Sequence, residues 1–247
     1  MSANCRSLIV MNLGVTDFEE IYQVQKTLVK LRWKKQIPDV LILNEHKDVY
    51  TLGRQFRSQG KPDFQNIPSV SVDRGGDVTF HGPGQMVVYP IFYLPDFKKD
   101  VHYFIRLFEN ICLEFLLLYG VKGMLRKGFT GIWLDDTRKI ISMGFGFSHW
   151  VSFHGLGINL DTTLERFNRI QPCGLEEIRM VNLLDCTKEI SRKNGYRKKC
   201  ASALSRLIAQ SFGYTEVKHY HGSNSLSEFL KDAHVPKSDF TNKKNLC

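Results

Sequence analysis

The sequence predicts an α/β or α+β domain: a mixed, largely antiparallel sheet flanked by helices. Three observations predict it. Three runs carry apolar residues at helical spacing, short strand-like runs lie between them, and neither a repeat nor a break in composition divides the 247 residues. A chain of that length can bury a substantial core as one domain. The expected domain covers residues 1–222, with a polar tail over 223–247.

The first helix covers TDFEEIYQVQKTLVKLRWKKQ. Thr16 is the expected N-cap, and Glu19 three positions later completes a capping box. Ile21, Val24, Leu28 and Leu31 then recur on one face, and the basic RWKK suits the negative end of the helix. DVLILNEH (39–46) reads as a buried strand, SVSVD (69–73) as an alternating one, and QMVVYPIF (85–92) as another. Residues 101–119 form a second helix closed by Gly120. TGIWLDDTRKIISMGFGF reads as strand, turn, strand, with Asp135 to Arg138 near the tip, and HWVSFHGLGINL (149–160) adds a strand loosened by glycines. Residues 197–214 make a third helix ending at Gly213. Beyond 222 the composition turns polar and lysine-rich without a clear period, which predicts a loose tail.

Thirty-four Lys and Arg stand against 25 Asp and Glu, a net charge of +9, which points to an acidic partner. Nucleic acid and an acidic carrier protein are both of that kind. No zinc-finger spacing, RNP-like run or helix-turn-helix signature supports nucleic acid. No apolar run reaches the roughly 18 residues of a membrane span. MSANCRSLIVMNLG is too short and too weakly apolar for a secretory signal. Six scattered cysteines, with no C-x-x-C pair, argue against a zinc site and a disulfide framework.

The densest chemistry lies in RGGDVTFHGPGQ, Arg74 to Gln85, where four of twelve residues are glycine. The glycines fit neither the G-x-G-x-x-G dinucleotide pattern nor a Walker loop. A tight surface turn would use them, and so would a loop whose backbone lies against a ligand. Downstream, SMGFGF (142–147) and SFHGLGIN (152–159) bring four more glycines with His154 and Asn159. Glycines within strands often mark close approach of a ligand, so the three stretches could wall one slot. NRIQPCGL sets Cys173 between Pro172 and Gly174, on a constrained loop that could expose a thiol. Such a thiol needs a base or cation nearby, and Lys139, Arg138, His81 and His154 are the candidates.

RGGDVTFHGPGQMVVYPI followed by RKIISMGFGFSHWVSFHGLGINLDTTLERFNRIQPCGL closely resembles the octanoyltransferases of lipoate biosynthesis, the lipoyl(octanoyl) transferase family. The resemblance covers about residues 8–215 and rests on four motifs in order. These are the RGG-x-x-T-F-HGPGQ loop, a lysine before a glycine-bearing strand, HG-x-x-x-N, and the PCG cysteine. It implies a fold like that of biotin and lipoate protein ligases. It implies that Cys173 and Lys139 are catalytic. Substrate would be contacted by Arg74, Gly75, Gly76, Asp77, Val78, Thr79, Phe80 and His81 of the loop, and by Ser142, Met143, Gly144, Gly155, Leu156 and Gly157 of the strands. The implied donor is octanoyl-acyl carrier protein. The implied acceptors are lipoyl domains of 2-oxoacid dehydrogenase E2 subunits and the glycine-cleavage H protein. No cofactor, metal or nucleic acid is called for. A monomer is implied, mitochondrial in eukaryotes and cytoplasmic in bacteria.

The implied chemistry suits the residues. Cys173 would take the acyl group as a thioester. Lys139 would favour the thiolate and later accept a proton from the incoming amine, provided desolvation lowers its pKa. Exchange between thioesters is nearly balanced and amide formation is downhill, so ATP is not required. Two other readings compete. One is an ATP-dependent lipoate-protein ligase, which needs no cysteine nucleophile. The other is a non-catalytic carrier-binding protein on the same fold.

Overall fold

The computed structural model describes residues 6–56, 64–170, 178–191, 195–222 and 224–233. Its strands are β1 (Ser7–Thr16), β2 (Asp39–His46), β3 (Val49–Leu52), β4 (Ser69–Ser71), β5 (Val78–His81), β6 (Gln85–Ile91), β7 (Met124–Arg126), β8 (Phe129–Trp133), β9 (Arg138–Ser148), β10 (Val151–Asn159), β11 (Arg179–Met180) and β12 (Glu216–His221). The α-helices are α1 (Phe18–Trp33), α2 (Val101–Leu117), α3 (Leu183–Cys186), α4 (Tyr196–Phe212) and α5 (Ser225–Asp232). The large sheet runs β12-β1-β2-β6-β10-β9-β8-β7, with β11 against β9. β1 is parallel to β2 and β12, and β11 to β9; the other five pairings are antiparallel. A small sheet, β4-β3-β5, stands beside it. The expected mixed, largely antiparallel sheet with flanking helices is what forms.

Apolar alternation decides how the layers pack. On one face α2 and α4 bury Phe104, Phe108, Ile111, Leu204 and Phe212 against Leu41, Val88, Phe145 and Leu156 of the strands. On the other, α1 lays Ile21, Leu28 and Leu31 over Met11, Ile42 and Val87. A third cluster, with Tyr50, Phe80 and Phe167, fills the space under the small sheet.

Several boundaries differ from expectation. α1 is capped by Asp17, not Thr16: Asp17 Oδ1 accepts from the amides of Glu19 and Glu20. Thr16 ends β1, and its hydroxyl is engaged there by the Glu45 carbonyl and the Asn44 side chain. The strand expected over 69–73 stops at Ser71, and α2 stops at Leu117 before Gly120, which has φ +68°. Within the expected tail, residues 225–232 form α5. Leu226, Phe229, Leu230 and Ala233 follow i, i+3, i+4, i+7 spacing, and this short stripe packs beside Tyr220 of β12. Among the described residues no helix is long and apolar enough to cross a membrane.

Candidate active site

A cavity of about 220 Å³ lies between the large sheet, the small sheet and the start of α1. Its floor is β9 and β10, which contribute Ser142, Met143, Gly144, Gly155, Leu156 and Gly157. Its roof is the glycine-rich loop with β5, contributing Arg74, Gly76, Asp77, Val78, Thr79 and His81. Lys139 lies at the β8 side, and Phe18, Val87 and Tyr89 at the β6 side. The three glycine-bearing stretches therefore do meet around one cavity. Two predicted contacts fall elsewhere. Strand alternation turns Phe80 away, into rings of Tyr50 and Phe167 at 5.4 and 5.5 Å. Gly75 ties the loop to the floor instead, its amide donating to the Phe145 carbonyl at 2.9 Å. Cys173 lies outside the described residues.

Lys139 is 3% exposed, and its Nζ lies 4.9 Å from the centre of the Trp133 ring. Gly131 on β8 makes the seat. Its φ is +110°, and a Cβ there would stand 2.8 Å from Lys139 Cε and 2.3 Å from the Ile141 carbonyl oxygen. Gly144 serves the roof in the same way: a Cβ would come within 2.8 Å of the Gly75 carbonyl oxygen and 3.1 Å of Arg74 Cδ. Arg74, 7% exposed, directs its guanidinium into the wall. It donates to the Thr51 carbonyl at 2.7 Å, to Thr51 Oγ1 and to the Gly75 carbonyl. It holds the loop shut against β3 while lining the cavity.

Histidines build the far wall. His154 adopts φ +53° inside β10, a conformation strained for a side-chain-bearing residue. Three groups hold it there. Gln25 accepts its amide at 2.7 Å, Tyr22 stacks on its ring at 5.1 Å, and Asp73 accepts from Nε2 at 3.1 Å. Burial lowers the pKa of His154, while its hydrogen bond and that of the Tyr22 hydroxyl hold Asp73 well below the usual carboxylate range. His46, behind the wall, is pushed down to about 4 by burial and lies 2.7 Å from the Tyr89 hydroxyl. Opposite, the Gly84 amide donates to Glu45, and Arg197 of α4 bridges Glu45 and Asp161. That clamp fixes the turn between His81 and Gln85.

Sequence reasoning overlooked Phe18, Tyr22 and Gln25 on α1, Asp73, Tyr89, Arg197 and Gly131. The α1 residues share one helical face and look like ordinary core. His154 was legible from the glycine that follows it.

The arrangement offers a buried lysine at one end, bare strand backbone along the floor, and hydrogen-bonding histidine rings at the other end. Its described part suits acyl chemistry in a partly desolvated slot. Residues 17–204 match the lipoyl protein ligase A/B catalytic domain. An octanoyltransferase of Prochlorococcus marinus (strain MIT 9312) is 32% identical over 218 residues, covering 87% of this chain and 98% of the relative. One from Gloeobacter violaceus is 39% identical over 169 residues, covering 68% and 76%. Among solved structures, the bipartite lipoate protein ligase of Thermoplasma acidophilum, studied with its E2 lipoyl domain, superposes with a TM-score of 0.66 at 12% identity, covering 98% of this chain and 100% of that one. Lipoate-protein ligase A bound with ATP gives 0.65 at 12% identity, covering 96% and 98%. At such identities the structures share the fold alone. With the sequence match spanning the cavity's loop, floor and lysine, the chain belongs to the lipoyl protein ligase A/B catalytic domain family and, within it, to the octanoyltransferases, which are acyltransferases.

Proposed function

We propose that the protein moves an octanoyl group from acyl carrier protein to a specific lysine of a lipoyl domain, through a thioester on Cys173. The observation that carries this reading is the seat of Lys139. The residue is buried at the cavity edge, and it pairs in register with Met180 of β11, seven positions after Cys173. On this reading the thiolate of Cys173 adds to the donor carbonyl, and the carrier leaves as its thiol. The acceptor amine then adds to the acyl-Cys173 carbonyl, and Cys173 leaves. Lys139 accepts the proton of the thiol and returns it to the departing carrier sulfur, then accepts that of the amine and returns it to the departing Cys173 sulfur. Backbone amides at the cavity edge, outside the paired floor strands, would stabilise the developing oxyanion.

A thioester and an amine become a thiol and an amide, a downhill exchange without ATP. The +9 net charge supports acidic carriers as partners. The Thermoplasma ligase studied with an E2 lipoyl domain supports E2 lipoyl domains as acceptors, and we extend the proposal to the glycine-cleavage H protein. In a eukaryotic cell the reaction belongs in the mitochondrial matrix, and in a bacterium in the cytoplasm.

The test is incubation with octanoyl-acyl carrier protein and apo lipoyl domain in the absence of ATP. Mass spectrometry should find a hydroxylamine-labile octanoyl group on Cys173 that chases onto the lipoyl domain. An acyl group that never appears on Cys173, or transfer that waits for ATP, overturns the reading.

A further inference from the structure

The two ring nitrogens of His81 have different surroundings. Nδ1 lies 2.6 Å from Gln85 Oε1. The identity of that Gln85 atom is settled from the amide's other end. Gln85 Nε2 lies 3.2 Å from the Phe80 carbonyl oxygen and 2.9 Å from Asn159 Oδ1. A backbone carbonyl only accepts, so the amide nitrogen must face it and the amide oxygen must face His81. That oxygen cannot donate. The proton of a neutral His81 therefore sits on Nδ1, and Nε2 holds the lone pair. Burial, reinforced by His46, Arg74 and His154, keeps the ring neutral by pushing its pKa down to about 3. Phe18 stacks nearly parallel to the ring at 6.1 Å and holds its plane. Among the described residues no group hydrogen-bonds Nε2, and the ring lines the cavity.

We propose that Gln85 is a positioning residue that locks His81 in the Nδ1–H tautomer, so that His81 Nε2 offers a hydrogen-bond acceptor to an N–H donor of the bound substrate. An acyl chain has no such donor. Under the two-step transfer, on which this part rests, two N–H groups enter the cavity: the amide of the carrier's pantetheine arm and the attacking lysine amine. A neutral imidazole that resists protonation accepts from either without removing its proton. It orients the group and leaves the proton to Lys139.

Long-range ¹H–¹⁵N spectra of ¹⁵N-histidine-labelled protein read the tautomer directly. The wild type should show His81 with Nδ1 protonated. Gln85→Met should release the ring and bring in the Nε2–H form. Kinetics supply the second readout. His81→Gln sets an amide oxygen near the Nε2 position and should retain kcat/KM within roughly tenfold. His81→Asn reaches only Gln85 and should lose roughly 10–100-fold, as expected for one buried hydrogen bond. Octanoyl-pantetheine and S-propyl octanethioate, which lacks the amide, separate the donors. A defect of His81→Asn confined to acylation by the pantetheine ester names the arm. A defect confined to transfer names the amine. An Nε2–H wild-type spectrum, or equal activity of His81→Asn and His81→Gln, overturns the proposal. If wild-type transfer needs ATP, the two-step reading falls, while the spectra still decide the role of Gln85.

Discussion

The two faces of β9 and β10 treat their residues in opposite ways. Met143, Phe145, Leu156 and Ile158 enter the core under α2 and α4, where Phe92, Phe104, Phe108 and Phe212 pack ring against ring at about 5–6 Å. The residues between them, Ser142, Gly144, Gly155 and Gly157, leave the other face nearly bare beneath the cavity. One face is filled and the other stripped within the same two strands. The cavity is therefore not a packing fault. A filled face holds the strands rigid while bare backbone lines the cavity, and this division allows strained residues such as His154 on the second side.

That comparison can be broken at either face. If Lys139 is the general base proposed above, Lys139→Met should cost about 10²–10⁴-fold in turnover with little change in stability; single-turnover octanoyl transfer beside a thermal melt checks it. Phe108→Ala, at a fully buried ring, should cost about 3–5 kcal/mol of stability while the folded fraction keeps its turnover, checked by urea denaturation with parallel assays. Gly144→Val should mix the two outcomes. Its side chain would press on Gly75 and Arg74, so substrate affinity falls along with about 1–3 kcal/mol of stability.

A gentler probe is pH. His46 and His81 are held at about 4 and about 3 by burial, against 6.5 in a free chain, and His154 is lowered as well. Below pH 6.5 the unfolded chain takes up protons that the folded chain refuses, so stability falls as pH falls through 6 to 4. Near pH 5 unfolding should absorb about two protons, which the slope of urea midpoint against pH measures. Asp73, depressed in the native state, adds a further loss only below about pH 3.8. A smaller effect is expected at Asp17→Ala, about 1 kcal/mol from the lost cap, and the smallest at a surface position of α1 such as Glu20→Ala, within about 0.5 kcal/mol.

Much of the large sheet, its helices and the cavity's main segments were legible in the sequence, because each rests on a local signal. Period and caps mark α1, α2 and α4, and clustered glycines mark the loop and the floor. What escaped depended on tertiary company. β1 and β12 pair in parallel across more than two hundred residues, which no local pattern announces. α5 hides its four-residue stripe among lysines and serines. Phe18 and Tyr22 have the spacing of ordinary core residues, and only the fold sets them against His81 and His154. Phe80 stands inside the loop motif, yet strand alternation turns its ring toward Tyr50 and Phe167, which the motif alone does not announce.

The Gly131 seat has a consequence for descent. A side chain at 131 is excluded first by the strand itself, through a φ of +110° and the Ile141 carbonyl oxygen 2.3 Å from any Cβ, and only then by Lys139 Cε at 2.8 Å. A lineage that kept the fold but lost the lysine would therefore still need glycine at 131, and the seat would stay open for the lysine's return. Position 131 thus records the path of β8 past β9, and the room that path leaves beside it is what Lys139 fills.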